Sequence, residues 1–187
     1  GSLNGVKRPG IVHRLDATTS GLMVVARNGL AQEGLFRDFK ARRVDKEYLA
    51  LCYGVPPAAK GEIHYPIGRD PYNRLRMAVV EDGRESWTDF KVVWSNQIYS
   101  FVRCKLHSGR THQIRVHMQA IRCPLVGDRL YAPSRKSPFG EERIFLHSWK
   151  LSFKHPRTGL LLSFTQSLPS ELADFLRDIF PKNRVRQ

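Results

Sequence analysis

The feature that most constrains this chain is a pair of alternating segments joined by three residues. Residues 98–106, IYSFVRCKL, put Ile98, Val102, Cys104 and Leu106 on one side and Arg103 and Lys105 on the other. Strand side chains point alternately to opposite faces, so this spacing predicts a strand with one face in a core. Residues 86–94 also alternate in character. Between them lies Ser95-Asn96-Gln97, whose short polar side chains suit a turn. Strands joined this tightly pair antiparallel, because a parallel pair needs a crossover of about a dozen residues or more.

Further elements extend the pattern. Residues 22–27 read as a strand with β-branched Val24 and Val25 at its centre, and residues 47–53 and 77–80 as two more. Pro56-Pro57 and Gly61 mark a loop. Residues 144–153 and 159–165 form a closing pair of strands around His155-Pro156-Arg157-Thr158-Gly159. Three segments read as helices. In residues 31–43, Ala31, Leu35 and Phe39 share a face, and Arg37, Lys40, Arg42 and Arg43 lie opposite. Residues 109–121 carry Thr111 as a cap and Ile114, Met118 and Ile121 as a stripe. Residues 169–180 bury Leu172, Phe175, Leu176 and Ile179, and Pro181 stops them.

Strands with short links and irregularly placed helices imply an α+β fold, with a mixed, largely antiparallel central sheet flanked by helices. The length of 187 residues suits one core. Residues 1–10 read as a lead-in segment, with Gly1-Ser2 as an expression scar, and residues 11–187 as a single domain.

Charge supplies the first functional constraint. The formal net charge is +14, a balance that favours a polyanionic partner such as nucleic acid. No apolar run approaches a membrane span, and no secretory leader is visible. Cys52, Cys104 and Cys123 share no CxxC spacing and read as structural thiols of a reducing compartment.

Two segments concentrate reactive side chains. The first is IVHRLDATTSGLMVVAR, residues 11–27, where Asp16 is either a turn residue or a reactive one. The second is GRTHQIRVH, residues 109–117, which crowds Arg110, His112, Gln113, Arg115 and His117 into a helical start. A helix N-terminus presents free N–H groups to phosphate. His112 and His117 are five apart rather than the four of a zinc pair, which argues against a metal site. Tyr48, in KEYLAL (residues 46–51), carries no functional claim alone.

Together these pieces resemble the RluA-type family of RNA pseudouridine synthases, on the RluC/RluD-like branch. The resemblance runs from RPGIVHRLD (residues 8–16) through KEYLAL and GRTHQIRVH to LVGD (residues 125–128) and HPRTG (residues 155–159). It implies the pseudouridine synthase fold and conversion of uridine in RNA to its C-glycoside isomer, with no cofactor and no metal. It puts the family's essential aspartate at Asp16, acting by attack at C1′ or by removal of a C2′ proton. Arg115 would pair with that carboxylate, favouring its charged form. Tyr48 would stack on the uracil and take the C5 proton late in the reaction. Arg14 would fill the gap left by a flipped-out base, and Arg110 and His112 would contact the RNA backbone or hold the site together. His13 reads as a structural hydrogen-bonding residue.

The chain departs from the family at Ala17-Thr18, where Lys-Asp is common, and at His107-Ser108, where Glu-Thr is common. These bear on RNA contacts rather than on the three catalytic positions. The S4-type RNA-binding module of many relatives is not present in this sequence. Ribosomal RNA is the first expected substrate and transfer RNA the second, for a monomer in the cytoplasm, or in an organelle if the source is a eukaryote. The irregular residues 132–143 are a candidate for target choice. Two other readings compete: an RNA-binding protein with an inactive site on the same fold, and a hydrolase that releases the base, although glycoside hydrolases typically use two carboxylates.

Overall fold

The computed structural model describes residues 8–140 and 143–182. The predicted hairpin is its centre: β6 (Thr88–Ser95) and β7 (Tyr99–Leu106) pair antiparallel, with a bulge between Val92 and Trp94. Asn96 closes the turn, its Oδ1 accepting from the backbone N–H groups of Ile98 and Tyr99 at 2.9 and 2.8 Å. Ile98 therefore belongs to the turn and is exposed, not part of the core face.

The other edge of β7 takes β2 (Asp45–Tyr53), paired antiparallel from Lys46↔Leu106 to Tyr53↔Tyr99. β8 (Leu146–Lys154) lies antiparallel on the far side of β2. β1 (Ser20–Gly21) joins β8 parallel, and β9 (Leu161–Thr165) follows it antiparallel along the same strand. β3 (Lys60–Ile63) completes the sheet beside β6, giving the order β1-β8-β2-β7-β6-β3. β4 (Ile67–Arg69) and β5 (Met77–Val79) form a separate two-stranded sheet. The helices are α1 (Gly29–Lys40), α2 (Gln113–Ala120) and α3 (Ser170–Ile179). This is the expected α+β fold with a mixed, largely antiparallel sheet.

Alternation along β7 divides the core. Val102, Cys104 and Leu106 face one way and pack with Ile114 and Met118 of α2. Phe101 faces the other way and packs with Phe145 and with Leu172 and Leu176 of α3. A third cluster joins Leu35 of α1 to Val12, Leu151 and Phe153. All three cysteines are free and buried, as their sequence settings suggested.

Four local expectations change. Residues 22–27 are not a strand: after Gly21 the chain leaves the sheet, keeping an isolated bridge from Val25 to Ile11. Leu22 and Val24 still pack on the third cluster, so their apolar character reflects burial without a ladder. Gly61 lies in a strand, not a loop, and the reason is packing. A Cβ there would meet the Phe90 ring at 2.9 Å, so glycine lets the ring lie across β3. Thr111 does not cap α2. His112 holds that position in a left-handed conformation, φ 57°, without a side-chain capping bond. α1 begins earlier than expected, because Asn28 caps it by accepting from the N–H of Ala31 at 2.9 Å. Of the lead-in, residues 1–7, including Gly1-Ser2, lie outside the described residues.

Candidate active site

Asp16 sits in a turn that closes through backbone alone: the N–H of Thr19 donates to the Asp16 carbonyl at 2.9 Å. Its carboxylate is therefore available, and Oδ2 accepts from Arg115 Nη1 at 3.3 Å. The turn is moored to the sheet. Gly21, at φ +109°, pairs with Ser148 so closely that a Cβ would lie 2.2 Å from the Ser148 carbonyl oxygen. Only glycine fits that conformation and that approach. Arg143 donates to the Thr18 carbonyl at 2.9 Å and to the Ser20 hydroxyl at 2.7 Å. Ser20 is in turn 2.7 Å from His147 Nδ1, and His147 Nε2 donates to the Gln166 carbonyl.

Arg115 enters from α2, and its fork is divided. Nε and Nη2 donate to the two oxygens of Asp128 at 2.8 and 2.9 Å, leaving Nη1 for Asp16. Asp128 is fixed as well, since its Oδ1 accepts from the N–H groups of Leu130 and Tyr131 at 3.1 Å each. The Tyr131 ring lies 4.9 Å from the guanidinium. Burial works against the charge of Arg115, but the hydrogen bonds and charge of Asp128, with Asp16 added, hold it above its ordinary pKa. The expected Asp16–Arg115 pair thus exists as one arm of a carboxylate–guanidinium–carboxylate chain.

His112 adjoins both Tyr131 and Asp16: its Nδ1 lies 2.7 Å from the Tyr131 hydroxyl, which also accepts from the Met77 N–H, and its Nε2 lies 4.0 Å from Asp16 Oδ1. Burial, then the Arg115 charge, lower its pKa. Tyr48 projects from β2 into the same region and is buried. Burial pushes its phenol up to about 12; a hydrogen bond to Ser148 opposes this and the Asp16 charge adds to it.

Asp16, Tyr48, His112 and Arg115 line one cleft of about 560 Å³, in which Asp16 is the single carboxylate among the described residues. Arg14 is exposed at its edge. Arg110 also lines it, with Nε and Nη2 both donating to the Glu85 carbonyl at 3.1 and 3.0 Å. Gln113 pins the helix start: its Oε1 accepts from Ser108 Oγ and the Arg110 N–H, and its Nε2 donates to the Trp87 carbonyl and Thr88 Oγ1. His117 is used up between Thr88 Oγ1 and the Tyr65 carbonyl, both at 2.9 Å. His13 is structural, its Nε2 accepting from the Val24 N–H and its ring stacked on Phe39 at 4.5 Å. Burial, with Lys46 nearby, takes its pKa down to about 4.

All six expected site residues therefore meet in one place. Sequence reasoning missed three others. Asp128 stood in the LVGD motif without a role, Tyr131 carried no signal, and Lys46, which lines the cleft two residues before Tyr48, was quoted in KEYLAL without a role.

Comparison with known proteins shows the family. The RNA pseudouridylate synthase family model matches residues 1–120. The chain is 47% identical over 178 residues to an uncharacterized RNA pseudouridine synthase of Chloroflexus aurantiacus, covering 95% of this chain and 56% of that one. It is 43% identical to ribosomal large subunit pseudouridine synthase D of Neisseria meningitidis serogroup B, covering 93% and 49%. The chain thus spans about half the length of the curated relatives it matches. Among solved structures, human RNA pseudouridylate synthase domain containing 1 superposes with a TM-score of 0.71 at 29% identity, over 94% of this chain and 81% of that one. Human RNA pseudouridylate synthase domain containing 4 gives 0.74 at 23% identity, over 91% and 75%, and speaks to the fold. The matched segment carries both the Asp16 turn and the Arg115 helix, and the chain belongs to the RNA pseudouridylate synthase family.

Proposed function

We propose that this chain isomerises uridine to pseudouridine in structured RNA, with ribosomal RNA as its first substrate class, acting as a monomer in the cytoplasm without cofactor or metal. The observation that carries the reading is the Asp16–Arg115–Asp128 chain on the cleft wall. It fixes one carboxylate on the wall of a space sized for a nucleotide. The net charge of +14 suits an RNA partner, and relatives named as ribosomal large subunit synthases favour ribosomal over transfer RNA.

The reaction balances internally. The N1–C1′ bond breaks, the uracil turns, the C5–C1′ bond forms, C5 gives up its proton and N1 gains one. Asp16 acts on the sugar, at C1′ or at the C2′ proton. Arg115 Nη1 orients it. Tyr48 supplies a ring against the uracil. With its phenol near 12, Tyr48 is neutral at pH 7, so it takes the C5 proton only in concert with passing its own proton on, after the new bond to C1′ has made the C5 proton acidic. Arg14, exposed at the edge, fills the stack that the flipped base leaves. Arg110 and His112 line the wall where the nucleotide enters.

Release of tritium from RNA carrying uridine labelled at C5 tests this. The wild-type chain releases label and Asp16→Ala does not. Free uracil in place of label exchange would establish base hydrolysis instead, and RNA binding without either product would establish a binding-only protein.

A further inference from the structure

Lys46 has a position that the proposed chemistry does not use. It lies on the same face of β2 as Tyr48 and lines the cleft. Its ammonium is 5.7 Å from the centre of the Phe39 ring. It also lies 3.3 Å from the point where Gly109 would carry a Cβ, so glycine keeps space open in front of it. Among the described residues, no carboxylate pairs with it. Asp16, the single carboxylate of the cleft, is engaged by Arg115. The charge that weighs most on Lys46 is that of Arg110, a second cation. Arg110 is held by the Glu85 carbonyl through Nε and Nη2, which leaves Nη1 for another acceptor. Two like charges thus face one open space, Lys46 with no carboxylate partner and Arg110 offset by the Glu85 charge alone against Arg84 and Arg42, an arrangement that a further anion would relieve.

We propose that Lys46 and Arg110 form a subsite for a phosphodiester of the RNA chain, the one flanking the nucleotide held at Asp16. This rests on the reading of the cleft as an RNA site. The mouth supports a backbone anion rather than a free carboxylate metabolite: Lys40, Arg42 and Arg84 line the same cleft and extend the positive surface outward. A lysine serves here as a point charge on phosphate, its ammonium lying over the Phe39 ring.

Protonation gives the subsite a signature. Burial, then Arg110, take the Lys46 pKa down to about 8, so the unliganded cleft loses this cation as pH rises through that value, and a bound phosphate keeps it protonated. Among the groups facing Lys46, His13 in the Asp16 turn lies near 4; Asp16, Arg14, Lys40, Arg42 and Arg84 face the same cleft. From the start of α2, His112 is lowered below its ordinary value. On β2 itself, Tyr48 lies near 12.

The experiment measures binding of oligouridylate at fixed salt between about pH 6.5 and about pH 9, for wild type, Lys46→Gln and Lys46→Arg. Wild-type affinity falls as pH passes about 8. Lys46→Gln binds about tenfold more weakly at neutral pH, without that step, and its salt dependence is shallower by about 0.7 of a log unit per log unit of salt. Lys46→Arg keeps the affinity and loses the pH step, which separates loss of charge from loss of fold. Equal affinity, salt slope and pH profile in Lys46→Gln and wild type would overturn the subsite. Tritium release is read in parallel: normal release with an unchanged Lys46→Gln rejects the subsite alone, whereas absent release with an intact pH step rejects the isomerase and leaves the subsite standing.

Discussion

The two faces of the central sheet are built differently. Under α3 the contact is apolar throughout: Leu172, Leu176, Phe101, Phe145 and Val126. Under α2 the apolar cluster is interrupted by Arg115, Gln113, His117, Thr88 and Asp128, all buried and all hydrogen bonded to one another or to backbone. An apolar contact is nearly indifferent to a shift of a few tenths of an ångström, whereas a bidentate guanidinium pair is not. The α3 face therefore supplies stability and the α2 face supplies position.

Four substitutions or conditions sharpen or break that contrast. Asp128→Ala should have the largest effect, destabilising by about 3–5 kcal/mol because Arg115 would stay buried with a single, longer partner. Denaturant unfolding checks this, and a loss below about 1 kcal/mol would remove Asp128 from the positioning role. Leu176→Ala should cost about 2–5 kcal/mol, yet leave tritium release per folded molecule unchanged. A lowered rate per folded molecule would show that the α3 face positions the site too. Arg115→Lys should keep most of the stability and lose about 100-fold in turnover, since a point charge cannot serve Asp128 and Asp16 at once. Undiminished turnover would contradict the divided fork. The smallest effect concerns pH. His13 has a folded pKa near 4 against 6.5 when unfolded, so the unfolded chain binds the proton first. The His13 contribution is complete above about 6.5 and is lost as pH falls toward 4. The Tm of wild type should drop across that window more steeply than that of His13→Gln.

The same contrast explains what was legible in the sequence. The α3 face announces itself locally, because Leu172, Phe175, Leu176 and Ile179 recur at helical spacing. The β6–β7 hairpin is equally local. The Asp16–Arg115 pair was expected through the family resemblance; its residues stand 99 positions apart and no periodicity links them. Asp128 as holder of Arg115 was not expected, since a carboxylate after Val126-Gly127 looks like any turn residue until its partner is placed. Residues 22–27 misled because β-branched residues signal burial as readily as strand pairing. Lys46 was passed over because alternation marks a strand but does not say which face opens onto a cleft.

The position of β8 has a consequence for how such a molecule is made. β8 lies between β1 and β2 in the sheet, and Ser20 meets His147 across 127 positions of chain. A nascent chain released as far as Ala120 already contains Asp16, Tyr48 and Arg115, but the Asp16 turn has no strand to lie against and Arg115 lacks its firm partner. Local pieces such as the β6–β7 hairpin can form early, while the slot that fixes the carboxylate closes only after β8 has emerged. During synthesis, the slot that fixes the carboxylate is therefore the last part of the site to close.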